Sequence, residues 1–240
     1  MTAADKHNLW IKFHRFQQRY ENMYHPDINK ALKAQVQTYI DNKDTVYIRS
    51  GGLYLVLLDL YKTVGTVWAR HSRFMLSQKK GLPGRLGFNE YIIQLIQQQY
   101  GFNLLADAEN ITQTTIRLIQ EVLTEAAAEG FGIDEIVNRI TTPEFTSTRA
   151  RLIARTETVG AANAGALINA KASGRKVNKI WVAARDNRTR RHHREVDNTS
   201  IPVEDKFTVG GYQMDHPGDK AAGAEEVCNC RCCLAFAPMD

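Results

Sequence analysis

Apolar side chains in the first half of the chain recur every three or four residues, which is the spacing of an amphipathic helix. The first such stretch predicts a helix over residues 6–24. The sequence His25-Pro26-Asp27 should end it, because proline cannot donate a hydrogen bond inside a helix. Large aromatic side chains dominate its apolar face and could either anchor a partner or fill a core: Trp10, Phe13, Phe16, Tyr20 and Tyr24.

The same spacing predicts further helices up to residue 172. Asn89 and Asn110 can each cap a first turn, and glycines and prolines mark the breaks between helices. The sequence Gly81-Leu82-Pro83-Gly84 predicts a loop that is either a plain connection or a hinge. The predicted helices cover residues 27–40, 45–76 with a break at Gly51-Gly52, 89–100, 110–129, 134–140 and 146–172.

After Gly174 the pattern changes from helices to short strands. We therefore predict an α+β protein with two regions. A helical N-terminal half, residues 1–145, would act as a partner-binding arm and precede a compact α+β domain with a small sheet, residues 146–240. The predicted strands are residues 179–184, a hairpin over 207–214 around Gly210-Gly211, and 230–236.

The net charge of +5 is unevenly distributed along the chain. Residues 1–148 carry a net charge of +1, residues 149–196 of +9, and residues 197–240 of −5. The basic and acidic blocks could neutralise one another in the folded protein. Alternatively, the basic block could form a surface for nucleic acid or for an acidic partner.

All four cysteines lie between Cys228 and Cys233, whereas a disulfide framework spreads its cysteines along the chain. The sequence contains no stretch of eighteen or more apolar residues, so we predict no transmembrane helix. The first ten residues lack the pattern of a signal peptide. We therefore expect no membrane association, and folding in a reducing cytoplasm.

The most distinctive segment follows the first predicted strand and has the order D-x-R-T-R-x-x-H-x-x-x-D. Its aspartates and arginines could pair in a network that fixes the loop, or its arginines could contact phosphate groups. Adjacent histidines point in different directions, so at most one of His192 and His193 would serve an acid–base site. The motif consists of Asp186, Arg188, Thr189, Arg190, His193 and Asp197.

Together with three other segments, this motif resembles the phage head morphogenesis, or minor capsid, family with its Mu F-like domain. Upstream, Ala154-Arg155-Thr156-Glu157 followed by Asn163 matches the A-R-T-E…N helix of that family. Downstream, Pro217-Gly218-Asp219 matches its P-G-D turn, and Asn229-Cys230-Arg231-Cys232 matches its N-C-R-C segment. The resemblance covers about residues 149–237.

The sequence departs from the family at two places. Asn198 stands where the family usually has glycine, but asparagine tolerates a positive φ, so the turn can be kept. A stretch from Lys220 to Asn229 separates the P-G-D turn from the last motif, which leaves the geometry of this loop open.

The resemblance implies a structural phage protein rather than an enzyme. It implies a place in the virion head near the portal, after assembly in the host cytoplasm, and a role in head morphogenesis and in DNA packaging or delivery. The expected partners are the portal protein and other head proteins, with phage DNA as a further candidate and no small-molecule substrate. The structural residues would be those of the D-x-R-T-R motif together with Asp219, Cys230, Arg231 and Cys232.

Two other classes of function stay open. One is an enzyme, either related to ADP-ribosyltransferases or a nuclease with His193 and His216 around a metal, although Glu225-Glu226 lacks the spacing of an E-x-E signature. The other is a non-specific DNA-binding protein. The candidate nucleic-acid contacts are Arg175, Lys176, Arg188, Arg190, Arg191 and Arg194.

The cysteines also suggest a zinc site, which needs four nitrogen or sulfur ligands in a tetrahedron. On a strand, Cys228, Cys230 and Cys232 would share one face. The predicted ligands are Cys230 and Cys232, or Cys228 and Cys230, completed by His193 and His216. Otherwise the cysteines are buried as small apolar side chains and the protein has no cofactor.

Overall fold

In the computed structural model, three long helices pack around a fourth, and a small antiparallel sheet forms the C-terminal end. This is the α+β architecture predicted from the sequence, so that prediction is confirmed. The loop predicted at residues 81–84 lies outside the described residues. The structure describes residues 2–75, 85–184 and 186–239.

The first helix, α1 (Ala3–Asn42), is continuous through Pro26. The break predicted there is wrong. Pro26 removes one backbone hydrogen bond, but Ile28 and Leu32 are fully buried in the next turns. Because most helical stability in proteins comes from packing of the apolar face, that burial keeps the helix intact.

The second helix, α2 (Gly51–Met75), begins at the pair of glycines where a break was predicted. The third, α3 (Arg85–Glu129), is a single helix of 45 residues, so the two separate helices predicted within it, capped by Asn89 and Asn110, are wrong. Buried apolar side chains lie on both sides of the predicted gap and support one helix across it. Gly130 follows α3 with a φ of +72°, as expected for the predicted stop.

The central helix is α5 (Arg149–Ala172), which follows α4 (Ile133–Ile140) and a π-helical turn (Glu144–Thr148). Helices α1, α2 and α3 all pack against it. Its small residues allow this: a Cβ added to Gly165 would lie 2.1 Å from the carbonyl oxygen of Gly65 on α2. The backbones of α2 and α5 therefore cross in direct contact.

The sheet begins with β1 (Val177–Val182), which pairs antiparallel with β2 (Ser200–Pro202). A short helix, α6 (Arg191–Glu195), lies between them in the chain. The separate hairpin of β3 (Phe207–Val209) and β4 (Tyr212–Met214) is the one predicted from the sequence. The first part of the D-x-R-T-R motif, Asp186 to Arg190, which we call the motif loop, therefore connects the central strand of the sheet to α6.

The last strand, β5 (Cys233–Pro238), follows α7 (Ala224–Val227) and pairs antiparallel with the other edge of β1. The predicted start of this strand at Cys230 is wrong. The register ends with Val182 opposite Cys233, and Asn229 has a positive φ of 58°, so the chain turns before it becomes extended. The two preceding cysteines of the motif therefore lie in a connecting segment.

The larger of two hydrophobic clusters among the described residues runs from α1 to β5 and forms the main core. The aromatic residues of α1 belong to it: Phe13, Tyr20 and Tyr24 are buried, and Trp10 and Phe16 pack against it partly buried. The interpretation as partner anchors is therefore wrong for Phe13, Tyr20 and Tyr24, and stays a prediction for the partly exposed Trp10 and Phe16. The division of the chain into two regions between residues 145 and 146 stays a prediction, although side chains from both regions belong to this core. Among the described helices, none combines the length and apolar character needed to cross a membrane.

Candidate functional site

The motif loop is folded by the Asp186 side chain. Its Oδ1 accepts hydrogen bonds from the backbone N–H of Arg188 at 3.0 Å and from the Thr189 hydroxyl at 3.2 Å. The Thr189 hydroxyl also contacts the carbonyl oxygen of Ala184 at the end of the strand segment. These local bonds are typical of aspartate and threonine in turns, and they fix the direction in which the chain enters α6.

Arg231 is the partner that closes this loop. Its Nη1 lies 2.9 Å from Asp186 Oδ2, and its Nη2 donates to Oδ1 at 3.0 Å. The Arg231 side chain is only 9% exposed, and its backbone carbonyl accepts a hydrogen bond from Trp10 Nε1 at 3.2 Å. Arg188, in contrast, is 71% exposed and lies 3.8 Å from Asp186. The ion pair therefore joins the motif loop to the segment before β5.

Asp197 and Asn198 hold the C-terminal end of the motif against the end of β1. Asp197 Oδ1 accepts a hydrogen bond from the backbone N–H of Ala183 at 2.8 Å. Asn198 has a φ of +67°, which is the left-handed conformation that the sequence predicted it could adopt. Its backbone N–H donates to the carbonyl oxygen of Trp181.

Three successive residues of the A-R-T-E segment of α5 contact the C-terminal loop, which is the segment between the P-G-D turn and β5. Arg155 donates to Asn229 Oδ1 at 3.1 Å, and Thr156 Oγ1 accepts from the backbone N–H of Asn229. Glu157 Oε1 lies 2.6 Å from the Lys220 ammonium. Arg155 also makes a two-pronged pair with Glu21 of α1, at 2.9 and 3.0 Å. The segment has a positioning role, because it ties α1 and the C-terminal loop to α5.

Asn163, one helical turn and a half further along α5, uses its whole amide. Its Nδ2 lies 3.1 Å from each of the carbonyl oxygens of Val159, Pro217 and Cys232, so its two hydrogens are shared among three acceptors. Its Oδ1 accepts from the backbone N–H of Leu234 at 2.9 Å. Since Asn163 is fully buried, this one side chain fixes the P-G-D turn and the start of β5 on α5.

The P-G-D turn packs on α5 through glycine. Gly218 has a φ of +83°, and a Cβ there would lie 3.0 Å from the backbone of Gly160. Asp219 closes the turn, because its Oδ2 accepts from the backbone N–H of Asp215 at 2.6 Å and its Oδ1 from that of Ala221 at 3.0 Å. Asp219 is therefore a turn-forming residue.

His216 lies in this turn and not with the cysteines. Its Nδ1 is 3.0 Å from the carbonyl oxygen of Pro217, which can only accept, so Nδ1 carries the proton. Its Nε2 then accepts from the hydroxyl of Tyr100 at 3.1 Å. Burial lowers the pKa of His216 below its usual value. Both nitrogens are used, so His216 is placed outside the predicted metal site.

His193, Cys230 and Cys232 do come together. Their ligand atoms all lie within 4.8 Å of one another, and all three residues are buried. His193 Nδ1 is 3.4 Å from Cys232 Sγ and 3.7 Å from Cys230 Sγ. Hydrogen bonds from Cys232 and His193 lower the pKa of Cys230 well below its usual value, while burial raises that of Cys232.

Glu226 completes this cluster, and sequence reasoning missed it. Its Oε2 lies 3.0 Å from His193 Nε2, and its Oε1 lies 2.6 Å from His192 Nδ1. Burial by itself would lower the pKa of His193, but the hydrogen bond and charge of Cys230, together with the Glu226 carboxylate, raise it. No local pattern signals this role, because 33 residues of chain separate Glu226 from His193.

The basic residues predicted to bind nucleic acid do not form one surface. Arg190 donates to the carbonyl oxygen of Cys228 at 2.6 Å, and Arg194 to that of Thr189 at 2.8 Å. Exposed Arg191 pairs with Glu195 in the same helix. Arg188 is exposed on the motif loop, whereas the other two, Arg175 and Lys176, precede β1, so the length of that strand, about 17 Å, separates them from the motif loop.

Two of the predicted residues, Arg188 and Arg190, join three other arginines in lining a cleft between α1, α5 and the motif loop, which we call the arginine cleft. Two carboxylates, Glu21 and Asp186, lie among five guanidinium groups, so the cleft carries an excess of positive charge. Sequence reasoning missed the two arginines contributed by α5, although they belong to the basic block. The arginine cleft consists of Arg151, Arg155, Arg188, Arg190 and Arg231.

Comparison with known proteins finds a family similarity that covers the C-terminal region. Residues 117–235 match the model of the family "Phage Mu protein F like protein". The chain is 29% identical over 160 residues to the minor head protein GP7 of Bacillus phage SPP1, which is 63% of this chain and 52% of that protein. It is 29% identical over 133 residues to the uncharacterized protein YqbB of Bacillus subtilis, which is 53% of this chain and 44% of that protein.

A third similarity is shorter. Over 63 residues the chain is 38% identical to the NAD(+)–arginine ADP-ribosyltransferase EFV of Enterococcus faecalis, which is 26% of this chain and 13% of that protein. The chain spans about half the length, or less, of these curated relatives. No solved structure matches the chain. Residues 117–235, which contain all four motifs, are therefore similar to the Phage Mu protein F like family.

Proposed function

We propose that this protein is a phage minor head protein with a structural role. The observation that carries the proposal is the similarity to the SPP1 minor head protein. It covers 63% of this chain and is therefore longer than the family match over residues 117–235. The contacts of the family motifs support a structural role, since Asp186, Arg231 and Asn163 are used to hold loops on α5 and β1.

We further propose that the protein associates with the portal and other head proteins, lies in the virion head near the portal, and acts in head morphogenesis and in DNA packaging or delivery. The core of the N-terminal helices is continuous with the family domain, so the chain would present one rigid surface to a partner. Exposed apolar side chains on α2 and α3, Leu55 and Phe102, are candidate contacts on that surface.

Heads made by a phage or prophage that carries this gene test the proposal. An epitope-tagged copy should purify with the heads, and chemical cross-linking in those heads should join it to the portal protein. Disrupting the gene should lower the yield of infectious particles, and supplying the wild-type chain should restore it. Heads of normal composition and infectivity without the chain would overturn the proposal. Cross-links to head proteins alone would overturn the portal part.

The arginine cleft supports a contact with phage DNA. Two of its guanidinium groups are substantially exposed: the Arg188 side chain is 71% exposed and that of Arg151 is 47% exposed. Exposed arginines in a cleft with excess positive charge bind phosphate oxygens, and such contacts do not depend on base sequence. We propose that the cleft contacts the DNA backbone.

Binding of labelled duplex DNA to the purified protein tests this contact. Affinity should fall steeply with salt because counterions are released, and the double variant Arg151→Ala, Arg188→Ala should bind more weakly with a shallower salt dependence. Arg117→Ala is the matched control, since Arg117 is an exposed arginine on α3, away from the cleft. Equal weakening by the control variant, or no binding at low salt, would count against the cleft.

The similarity to the ADP-ribosyltransferase gives no reason to propose that activity here. It covers 13% of that protein. Glu226, the buried member of the Glu225-Glu226 pair, is engaged with His192 and His193. We therefore keep the structural role as the proposal for this chain.

A further inference from the structure

We propose that Cys230, Cys232 and His193 bind a zinc ion through the two sulfur atoms and His193 Nδ1. Zinc binds sulfur at about 2.3 Å and histidine nitrogen at about 2.0 Å, so tetrahedral angles place a nitrogen and a sulfur ligand about 3.5 Å apart. The observed Nδ1–Sγ separations are 3.4 Å for Cys232 and 3.7 Å for Cys230. Both nitrogen–sulfur separations therefore match those of ligands around one ion, and all three ligand atoms lie within 4.8 Å of one another.

The surroundings of His193 are those of a metal-bound histidine. Its second nitrogen, Nε2, lies 3.0 Å from Glu226 Oε2, and both atoms are buried without a hydrogen-bond partner among the described residues. A carboxylate on the far nitrogen fixes the tautomer and orientation of a zinc-binding histidine. Trp181 packs edge-on against the ring, with the centroids 5.4 Å apart. Nδ1 is therefore held toward the sulfurs.

The segment that contains Cys230 and Cys232 is also arranged as expected for metal ligands. The backbone N–H of Cys232 lies 3.5 Å from Cys230 Sγ, a contact that stabilises a thiolate. Both sulfurs are buried, so two thiolates without a cation would be costly there, while a divalent ion neutralises them. Sulfur with imidazole favours zinc over the hard cations magnesium and calcium.

The described residues supply three ligands, because His216 is engaged in the P-G-D turn. Two cysteines and one histidine with an exogenous fourth ligand, such as water, are a ligand set known from catalytic zinc sites, whereas structural sites usually have four protein ligands. The guanidinium of Arg190 is held by the carbonyl oxygen of Cys228 and takes no ligand position. The ion would tie α6 to the segment before β5, and we assign it a stabilising role.

Metal analysis of the purified full-length protein tests the site, and the chain contains its own controls. Wild-type protein made with zinc in the medium should retain it stoichiometrically after gel filtration. Cys230→Ser and Cys232→Ser should lose it. Cys228→Ser and Cys233→Ala should retain it, because neither residue belongs to the ligand group. Zinc-free folded wild type, or equal loss in the control variants, would overturn the proposal.

Cobalt binding to the wild-type protein provides a second measurement that does not depend on variants folding. After removal of zinc, Co²⁺ should produce the near-ultraviolet charge-transfer absorption of cobalt–thiolate bonds and the visible bands of tetrahedral cobalt. Absence of thiolate absorption with folded protein would overturn the site. Chelation should lower the Tm, because metal binding to the folded state stabilises it.

The role of Glu226 is tested separately. Glu226→Gln should weaken zinc affinity by about 10- to 100-fold, measured by competition with a chromogenic chelator, while the cobalt spectrum keeps its two-thiolate intensity. Glu225→Gln is the matched control, because Glu225 pairs with Tyr212 at the surface. Unchanged affinity in Glu226→Gln would remove Glu226 from the site without removing the three ligands.

Discussion

Arg231 and Asp186 form a two-pronged ion pair that joins the segment before β5 to the motif loop, with N–O distances of 2.9 and 3.0 Å. Parallel bonds of this kind fix the relative orientation of the two groups. The sequence predicted an aspartate–arginine network here, and the structure places Arg231 in it, whereas Arg188 faces solvent.

The first prediction compares the two arginines. Asp186→Ala removes the Arg231 pair and the turn bonds to Arg188 and Thr189, and should lower the free energy of unfolding by about 2–4 kcal/mol. Arg188→Ala should change it by less than about 0.5 kcal/mol, because its side chain is mostly exposed. Urea unfolding monitored by circular dichroism measures both. Equal destabilisation by the two variants would contradict the assignment.

The second prediction concerns the crossing of α2 and α5. Gly165→Ala puts a Cβ 2.1 Å from the carbonyl oxygen of Gly65, so the helices must separate. The expected loss is at least about 3 kcal/mol, the upper end for overpacking, because backbone rather than a flexible side chain is in the way. Gly101→Ala is the control: no atom lies within 4 Å, and it should stabilise α3 by about 0.5–1 kcal/mol. Thermal unfolding separates the two outcomes.

The third prediction concerns Asn163. Asn163→Leu keeps the volume but removes the amide contacts, and it leaves the buried N–H of Leu234 and the carbonyl oxygens of Pro217 and Cys232 without this partner. We expect a loss of about 3 kcal/mol or more, since each unpaired buried polar group costs about 1–3 kcal/mol. Exposed Asn103→Leu should stay within about 0.5 kcal/mol. A wild-type midpoint for Asn163→Leu in urea would refute this role.

The fourth prediction is a pH dependence from His216. Burial lowers its pKa in the folded protein, whereas the unfolded chain has the ordinary value of about 6.5. As the pH falls below about 6.5, the unfolded chain therefore binds a proton that the folded protein does not. The stabilisation is present above that pH and is lost as the pH falls toward the folded pKa, by up to about 1.4 kcal/mol per pH unit.

The measurement is the difference in unfolding free energy between wild type and His216→Gln from pH 7.5 to 5. This difference isolates His216 from His193, whose pKa is raised and whose contribution has the opposite sign. Nearby Asp215 and Asp219 act against the shift and Lys179 adds to it, so the effect should survive at high salt through burial. A difference that does not vary with pH would show that His216 is not buried in its neutral form.

Much of the local structure was determined by the sequence alone. The periodicity, the glycine stops such as Gly130, the hairpin over residues 207–214 and the positive φ of Asn198 depend on interactions between neighbours in the chain. Close packing of α5 also followed from its small residues. These features are local, so composition and spacing are sufficient to predict them.

Tertiary structure decided the rest. The continuity of α1 through Pro26 depends on burial against other helices, which overrides a local breaker. Arg231 rather than Arg188 is the close partner of Asp186, and Glu226 rather than His216 lies beside His193 and the cysteines. Both outcomes depend on which residues distant in the chain become neighbours. Residue type supplied the candidates, but only the folded backbone sets distances between atoms separated by 33 to 45 residues of sequence.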